Sequence, residues 1–146
     1  MNPTDVELLL SQLDGSGSDA EWKAIEQLRS LPSLPNLLVD KYGQSKSFGA
    51  RAACVYHCVR YATTSKAAFE LGLRAVCDKS KVVRYRAAML LAVAQHPEAI
   101  PALDAMKDKY RESTADAEAA IEALRTRNPN RYVDRENTGL VTLHFR

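Results

Sequence analysis

Three cysteines and one of the three histidines fall close enough along this chain to be considered together as metal ligands. Cys54, His57 and Cys58 would lie on adjacent turns of one helix, and Cys77 falls in the next helix. Thiolate and imidazole groups are common zinc ligands, so four of them could close a tetrahedral site. Zinc motifs, however, usually place paired cysteines two to four residues apart across loops. We therefore expect reduced, buried thiols at helix contacts, with no metal and no other cofactor.

Positive charge is concentrated in the middle of the chain, although the whole sequence has a formal net charge of only +2. Residues 1–40 hold two basic against seven acidic side chains, residues 41–92 hold ten against two, and residues 93–146 hold eight against nine. A local field of this kind attracts acidic partners. The alternative interpretation is an ordinary solvated face, with Arg84 used inside the fold.

Tyrosines are interleaved with these charges. Tyrosine and arginine often carry binding energy at protein interfaces, and they suit contacts to phosphates and bases equally well. The candidate partner-binding residues are Lys41, Arg51, Tyr56, Arg60, Lys66, Arg74, Lys79, Lys81, Arg84, Tyr85 and Arg86.

Two short sequence motifs recur along the chain, and their spacing indicates a repeat architecture. Residues 34–37, Leu-Pro-Asn-Leu, return as Ile-Pro-Ala-Leu at 100–103, and the Arg-Ala-Ala of residues 51–53 returns at 86–88. A period in the mid-thirties is typical of solenoids, in which each unit buries its apolar face against the next. The sequence therefore predicts one all-α domain over residues 1–146, with about three helical hairpins between residues 18 and 127.

Capping and helix-breaking residues divide the repeats into helices. Ser18 with Glu21 forms a capping-box pattern, and Pro35 suits the first turn of a helix that Gly43 ends. The predicted hairpins pair residues 18–31 with 35–43, 47–61 with 65–78, and 82–95 with 97–110.

A capping helix is predicted at each end of the array. Residues 4–13 form an amphipathic pattern and join the repeats through a flexible link at 14–18, so that residues 1–17 make an N-terminal cap and linker. A last helix from residue 113 or 114 to about 127 closes the other end.

Residues 128–146 are predicted to form an extended tail. Leu140 to Phe145 alternates like a strand, and a lone strand needs something to accept its hydrogen bonds or its apolar side chains. Two interpretations stay open, a strap across the last helix or a docking element for a partner. The candidate docking residues are Arg131, Tyr132, Arg135 and Phe145.

One segment resembles the HEAT repeat: it reads Leu-Arg-Ala-Val-Cys-Asp at 73–78, followed by Val83-Arg84, Ala87-Ala88 and Leu91. That family pairs two antiparallel helices in each unit, with an Asp in the turn and a Val-Arg at the start of the next helix. The resemblance covers about residues 19–126 and implies architecture only. It also implies an Asp–Arg contact around Asp78 and Arg84 alone.

Enzymatic activity is not expected. Di-iron hydroxylases of HEAT-like build use His-Glu pairs, and this chain offers one such motif, His96-Pro97-Glu98. DNA glycosylases of similar build need aromatic and acidic residues near the base, whereas Trp22 falls on the apolar stripe of its helix. Nucleophile-elbow and metalloprotease motifs are missing, and Gly15-Ser16-Gly17 lacks the lysine of a phosphate loop. We therefore expect neither catalysis nor a small-molecule substrate.

A short, free-standing helical repeat protein with a polar tail is similar to immunity proteins, cytoplasmic antitoxins that bind and occlude a toxin domain. This resemblance implies a toxin domain as the protein partner. The positive charge of residues 41–92 argues against a nuclease toxin, whose cleft would be basic, and suits a toxin with an acidic surface or engagement through the acidic ends of this chain. Nucleic acid bound by residues 41–92 is the alternative, and a scaffold subunit of a larger complex is the third.

A cytoplasmic location without membrane contact is predicted. Residues 1–14 lack the basic start of a secretory signal, and the longest apolar run, residues 87–94, is too short to span a bilayer.

Overall fold

The computed structural model describes residues 1–146 and contains no β-strand. The eight helices are α1 (Pro3–Ser11), α2 (Asp19–Leu28), α3 (Leu34–Gln44), α4 (Phe48–Cys58), α5 (Lys66–Ala75), α6 (Lys81–Ala94), α7 (Ile100–Lys109) and α8 (Thr114–Arg125). Single 3-10 turns lie at Val59–Tyr61, Pro97–Ala99, Arg111–Ser113 and Pro129–Tyr132. The all-α prediction is confirmed, whereas the strand expected near residue 140 is absent. None of the helices combines the length and apolar character of a membrane span.

Serine side chains set where several helices begin. The hydroxyl of Ser18 accepts the N–H of Glu21 at 3.2 Å, and Ser47 and Ser65 cap α4 and α5 in the same way. The reciprocal half of the predicted capping box is not formed. The Glu21 carboxylate instead accepts the N–H of Gly15 at 2.6 Å, which attaches the loop between α1 and α2 to the repeats.

The helices pair one position out of phase with the predicted hairpins. α1 packs on α2, α3 on α4, α5 on α6, and α7 on α8. A row of similar helices can be divided into hairpins in two ways, and apolar periodicity does not distinguish them. Gly72 favours the observed pairing of α5 with α6, because a Cβ there would lie 2.8 Å from a methyl group of Leu90. The two predicted capping helices are therefore members of hairpins.

The hairpins stack so that the even-numbered helices follow one another along one side. α4 packs along α6 and α6 along α8, while α3 and α5 lie side by side in the other layer. Trp22 of α2 reaches Tyr56 of α4, with 6.3 Å between ring centres. A single apolar core runs through all four pairs, so the stack forms a hairpin solenoid around one continuous interior.

Buried polar groups link the turns of successive hairpins. Asp78, in the turn between α5 and α6, accepts the Tyr42 hydroxyl proton at 2.6 Å. Arg51 donates to the two Asp78 oxygens at 2.9 and 3.2 Å and to the Lys46 carbonyl at 2.6 Å. Burial alone would raise the pKa of Asp78, but the hydrogen bonds from Arg51 and Tyr42 hold it below its ordinary value. The pair is therefore fully charged near neutral pH.

Arg84 continues this ladder to the next hairpin. It is wholly buried and donates to the backbone carbonyl of Asp78 at 2.9 Å, to Ser113 at 2.9 Å and to Glu112 at 2.7 Å. The expected Asp78–Arg84 contact thus runs through a backbone carbonyl, and the carboxylate pairs with Arg51. A buried guanidinium group must find its counter-charge and its hydrogen-bond acceptors within the protein. Arg51 and Arg84 were predicted on the partner-binding surface, and the structure corrects this because both are buried.

We expect Asp78→Asn to lower the free energy of unfolding by about 3 kcal/mol at pH 7, because it leaves the Arg51 charge buried without its counter-charge. Urea denaturation measures the change. The difference from wild type should shrink as the pH falls below 3.8, the ordinary pKa of an aspartate, because the folded-state pKa of Asp78 is depressed and its stabilisation is then lost.

The matched control is Asp108→Asn, at an exposed carboxylate without an ion pair. Its unfolding free energy should stay within about 0.5 kcal/mol of wild type. Equal losses in the two variants would contradict the role of the ladder.

Candidate binding surface on the even-numbered helices

A groove of about 230 Å³ runs along the outward side of α2, α4 and α6; we call it the even-helix groove. Small residues of α4, Gly49, Ala52 and Ala53, form part of its lining. Its larger lining side chains are Trp22, Phe48, Tyr56, Val82 and Arg86. Phe48 exposes 57% of its surface and Val82 exposes 46%. Large apolar side chains grouped at the rim of a groove are typical of an interaction site.

Aromatic rings and a guanidinium group form the wall of the groove. Trp22, Tyr56 and His57 meet edge to face, with ring centres 5.3 to 6.3 Å apart. Arg86 lies over the Tyr56 ring at 4.4 Å from its centre. Tyr56 and Arg86 were among the predicted binding residues. Trp22 was expected in the core, but it is only partly buried and faces this groove.

A buried carboxylate and imidazole lie beneath the aromatic wall. Glu21 and His57 approach at 3.3 Å between Oε2 and Nε2, and the Nδ1 atom of His57 has no hydrogen-bond partner. Burial lowers the pKa of His57, Glu21 opposes this shift, and the charges of Arg29 and Arg86 add to it. A neutral imidazole can donate its Nε2 proton to Glu21, which leaves Nδ1 as the unpaired acceptor.

The loop between α1 and α2 forms one edge of the groove and is held against α4. Gly15 has a positive φ of 82°, and a Cβ there would lie 2.3 Å from the carbonyl oxygen of Gly49. Only glycine fits this approach without moving the backbone. The link that the sequence predicts as flexible is therefore packed on the repeats.

The C-terminal tail, residues 128–146, begins as a strap across the even-numbered helices. Tyr132 is wholly buried, and its hydroxyl donates to the backbone carbonyl of Tyr85 at 2.7 Å. Two ion pairs fasten the same segment to α8: Arg131 with Glu122 at 3.3 Å and Arg135 with Asp116 at 3.0 Å. These three predicted docking residues are therefore engaged within their own chain.

The end of the tail reaches the even-helix groove. The backbone N–H of Arg146 donates to the Tyr56 hydroxyl at 2.8 Å, and its guanidinium lies 4.2 Å from the centre of the Trp22 ring. Leu143 donates its N–H to Asn130 at 2.9 Å. Phe145, the fourth predicted docking residue, remains 40% exposed. The structure thus shows a strap whose last residues are part of the surface.

The other predicted cations do not gather at one place. Lys41 lies on α3, while Lys66 and Arg74 lie on α5 in the same layer. Lys66 is paired with Glu70 at 3.6 Å, and Arg74 lies over the Tyr42 ring. Lys79 and Lys81 are exposed at the α5–α6 turn beside Val82, whereas Arg60 follows α4 at its far end.

Sequence reasoning missed Phe48 and Val82 as surface residues. Both occupy the first turn of a helix, next to Ser47 and Lys81, where the apolar stripe has not yet entered the core. Their place in the first turn of a helix was the sequence signal from which their exposure could have been predicted.

The cysteines do not form a metal centre. Cys54 and Cys58 are buried, and burial raises the pKa of Cys54 to about 12, so that its thiol stays protonated. Cys77 is exposed, contrary to expectation. The structure contains no group of three or more Cys, His, Asp or Glu side chains arranged to hold a metal ion.

No protein-family model, no curated protein and no solved structure matches this chain. The resemblance to HEAT repeats therefore stays a prediction from the motifs, beside the helical stack that the structure shows.

Stability should fall between pH 7.5 and 5.5 through His57. Its folded-state pKa lies below the ordinary 6.5, so the unfolded chain takes up the proton first and is favoured as the pH drops. We expect His57→Gln to remove about 1 kcal/mol of this pH dependence, measured by urea denaturation at both pH values.

His144→Gln is the control, because this exposed histidine has no partner. The prediction is wrong if wild type and His57→Gln lose the same stability over this range.

Proposed function

We propose that this protein is a non-catalytic module that binds another protein through the even-helix groove. The supporting observation is the exposure of Phe48 and Val82 at the rim of a groove whose wall is Trp22, Tyr56 and Arg86. Aromatic and arginine side chains around a small concavity are typical of residues that dominate interface energies. No catalytic group is needed for this role.

Charge favours an acidic partner. Exposed Lys46 lies two residues before Phe48, and exposed Lys79 and Lys81 adjoin Val82. An acidic segment with one apolar side chain fits this arrangement, because the apolar group can enter the alanine-lined part of the groove while its carboxylates meet the lysines. Such complementarity raises the association rate and excludes basic competitors.

We further propose that the partner is a toxin domain and that the protein acts as a cytoplasmic immunity protein. Three features support this proposal: the small helical-repeat fold, the groove with its exposed apolar rim, and the lysines beside that rim, which suit an acidic toxin surface. Occlusion requires only a stable complex, which such a surface can form.

Nucleic acid is the second candidate, since Trp22 and Tyr56 present rings next to Arg86 and could stack on bases. The burial of Arg51 and Arg84 removes two phosphate contacts from the basic segment and weakens this candidate. Phosphate-driven binding would weaken steeply with salt, with log affinity linear in log salt. A gel-shift series with nucleic acid at rising salt therefore tests whether nucleic acid, and not an acidic protein, is the ligand.

The decisive experiment is affinity capture from the native host, followed by affinity measurements on the purified partner. We expect Phe48→Glu to weaken binding at least tenfold, because a carboxylate replaces the apolar rim and repels an acidic partner. Arg86→Glu should act in the same direction, whereas a change at buried Arg84 would test folding instead.

Leu8→Glu provides the matched control. Leu8 exposes 61% of its surface on α1, outside the groove, and its replacement should leave affinity unchanged. If Phe48→Glu and Leu8→Glu bind the partner as tightly as wild type, the groove is not the interface.

A further inference from the structure

Three arginines lie near one another beyond the Trp22 and Tyr56 wall of the groove, on the side remote from the lysines. Arg29 directly follows α2, seven residues after Trp22, and Arg60 follows α4, four residues after Tyr56; both spacings return to the same side of a helix. Arg146 joins the two helices, because its N–H bonds Tyr56 and its guanidinium covers Trp22. We call Arg29, Arg60 and Arg146 the arginine cluster.

The cluster has no counter-charge in ion-pair contact. None of its members has a carboxylate within 4.0 Å. The Nε atom of Arg29 is buried and has no hydrogen-bond partner. Burial lowers the pKa of Arg29, as do the charges of Arg60 and Arg146, while Glu26 acts in the opposite direction without an ion pair. Three like charges therefore lie near one another without an ion pair, and an incoming anion would reduce their repulsion.

We propose that the arginine cluster binds a carboxylate side chain of the partner segment that occupies the even-helix groove. This inference rests on the proposed function and names the chemistry at one end of its site. Guanidinium groups bind carboxylates through paired N–H bonds, and the Trp22 and Tyr56 rings offer contact area for the aliphatic part of a Glu or Asp.

The lining between the two charged ends favours a protein segment over a nucleic acid strand. The arginine cluster lies at the C-terminal ends of α2 and α4, and Lys46 lies before the N-terminal end of α4. Between them the groove is lined largely by uncharged side chains, and Arg86 is the one cation among its lining residues. A phosphodiester strand carries a charge at every nucleotide and would meet only Arg86 between the ends, whereas an acidic segment with a central apolar residue can also use the small, uncharged part of the groove.

The strap is part of this binding site. Arg146 is placed by the tail, which Tyr132 and Leu143 anchor through their hydrogen bonds to Tyr85 and Asn130. The tail therefore supplies one of three cluster arginines rather than covering an otherwise complete surface.

Trp22 provides a direct readout, because it is the single tryptophan of the chain and lies within the site. The probe is the peptide acetyl-Glu-Glu-Leu-Glu-Glu-amide, titrated at low salt into the full-length protein while tryptophan fluorescence is followed. We expect the tryptophan fluorescence to change and to reach saturation as the peptide is added. Arg29→Gln and Arg60→Gln should each weaken peptide binding at least about fivefold, because each removes a charge-assisted pair.

Arg125→Gln is the matched control, since Arg125 is an exposed arginine of α8 without an ion pair. It should bind the peptide as wild type does. Circular dichroism of each variant separates loss of binding from loss of fold, and Arg29→Lys, which keeps the charge without the paired geometry, should give an intermediate affinity.

Three results would overturn the inference. These are no saturable fluorescence change with the peptide, equal affinities for wild type, Arg29→Gln and Arg60→Gln, or tighter binding of inorganic phosphate than of the peptide. If the native partner depends on Phe48 but not on the cluster, the inference fails and the proposed function stands. If the peptide binds through the cluster and no protein partner is captured, the carboxylate site stands and the proposed function fails.

Discussion

The buried polar ladder centred on the Asp78 carboxylate links three of the four stacked hairpins. Asp78 lies in the turn between α5 and α6, and its carboxylate accepts hydrogen bonds from Tyr42 and Arg51, while its backbone carbonyl receives Arg84. Arg84 extends the connection to Ser113 and Glu112 at the next turn. Apolar packing fits one helix against the next, as at Gly72 and Leu90, and a shift in register would in addition leave a buried charge unmatched.

This internal use of arginine shapes the outer surface. With Arg51 and Arg84 inside, the basic segment no longer forms one continuous patch. Exposed lysines lie at the hairpin turns, Arg60 joins Arg29 and Arg146 in the arginine cluster at the other ends of α2 and α4, and small residues line part of the groove between them. In the function proposed above, we expect such a surface to distinguish partners by the spacing of their acidic and apolar groups, which net charge alone cannot do.

The tail contributes to both the apolar core and the surface of the even-helix groove, although most of it has no regular secondary structure. Tyr132 fills a place in the core and satisfies its hydroxyl with the Tyr85 carbonyl, while Arg146 ends beside Trp22 and Tyr56. Its backbone needs no strand partner, because side chains such as Asp134 and Asn130 accept several of its N–H groups. The extended course was predictable from composition, but its route across α8, α6 and α4 was not.

The amino-acid sequence by itself determined the helical class, the approximate helix bounds and the repeat, because capping serines, prolines and apolar periodicity act within a few residues of chain. It also named Tyr56 and Arg86 as candidate binding residues, and the structure places both in the even-helix groove. Only the tertiary structure decided which helices pair and which arginines are buried. It also decided that Trp22, Phe48 and Arg146 lie on the same surface as Tyr56 and Arg86. These outcomes depend on contacts between residues tens of positions apart, where a charge is matched or left exposed by its neighbours in space, and local sequence patterns carry no record of those neighbours.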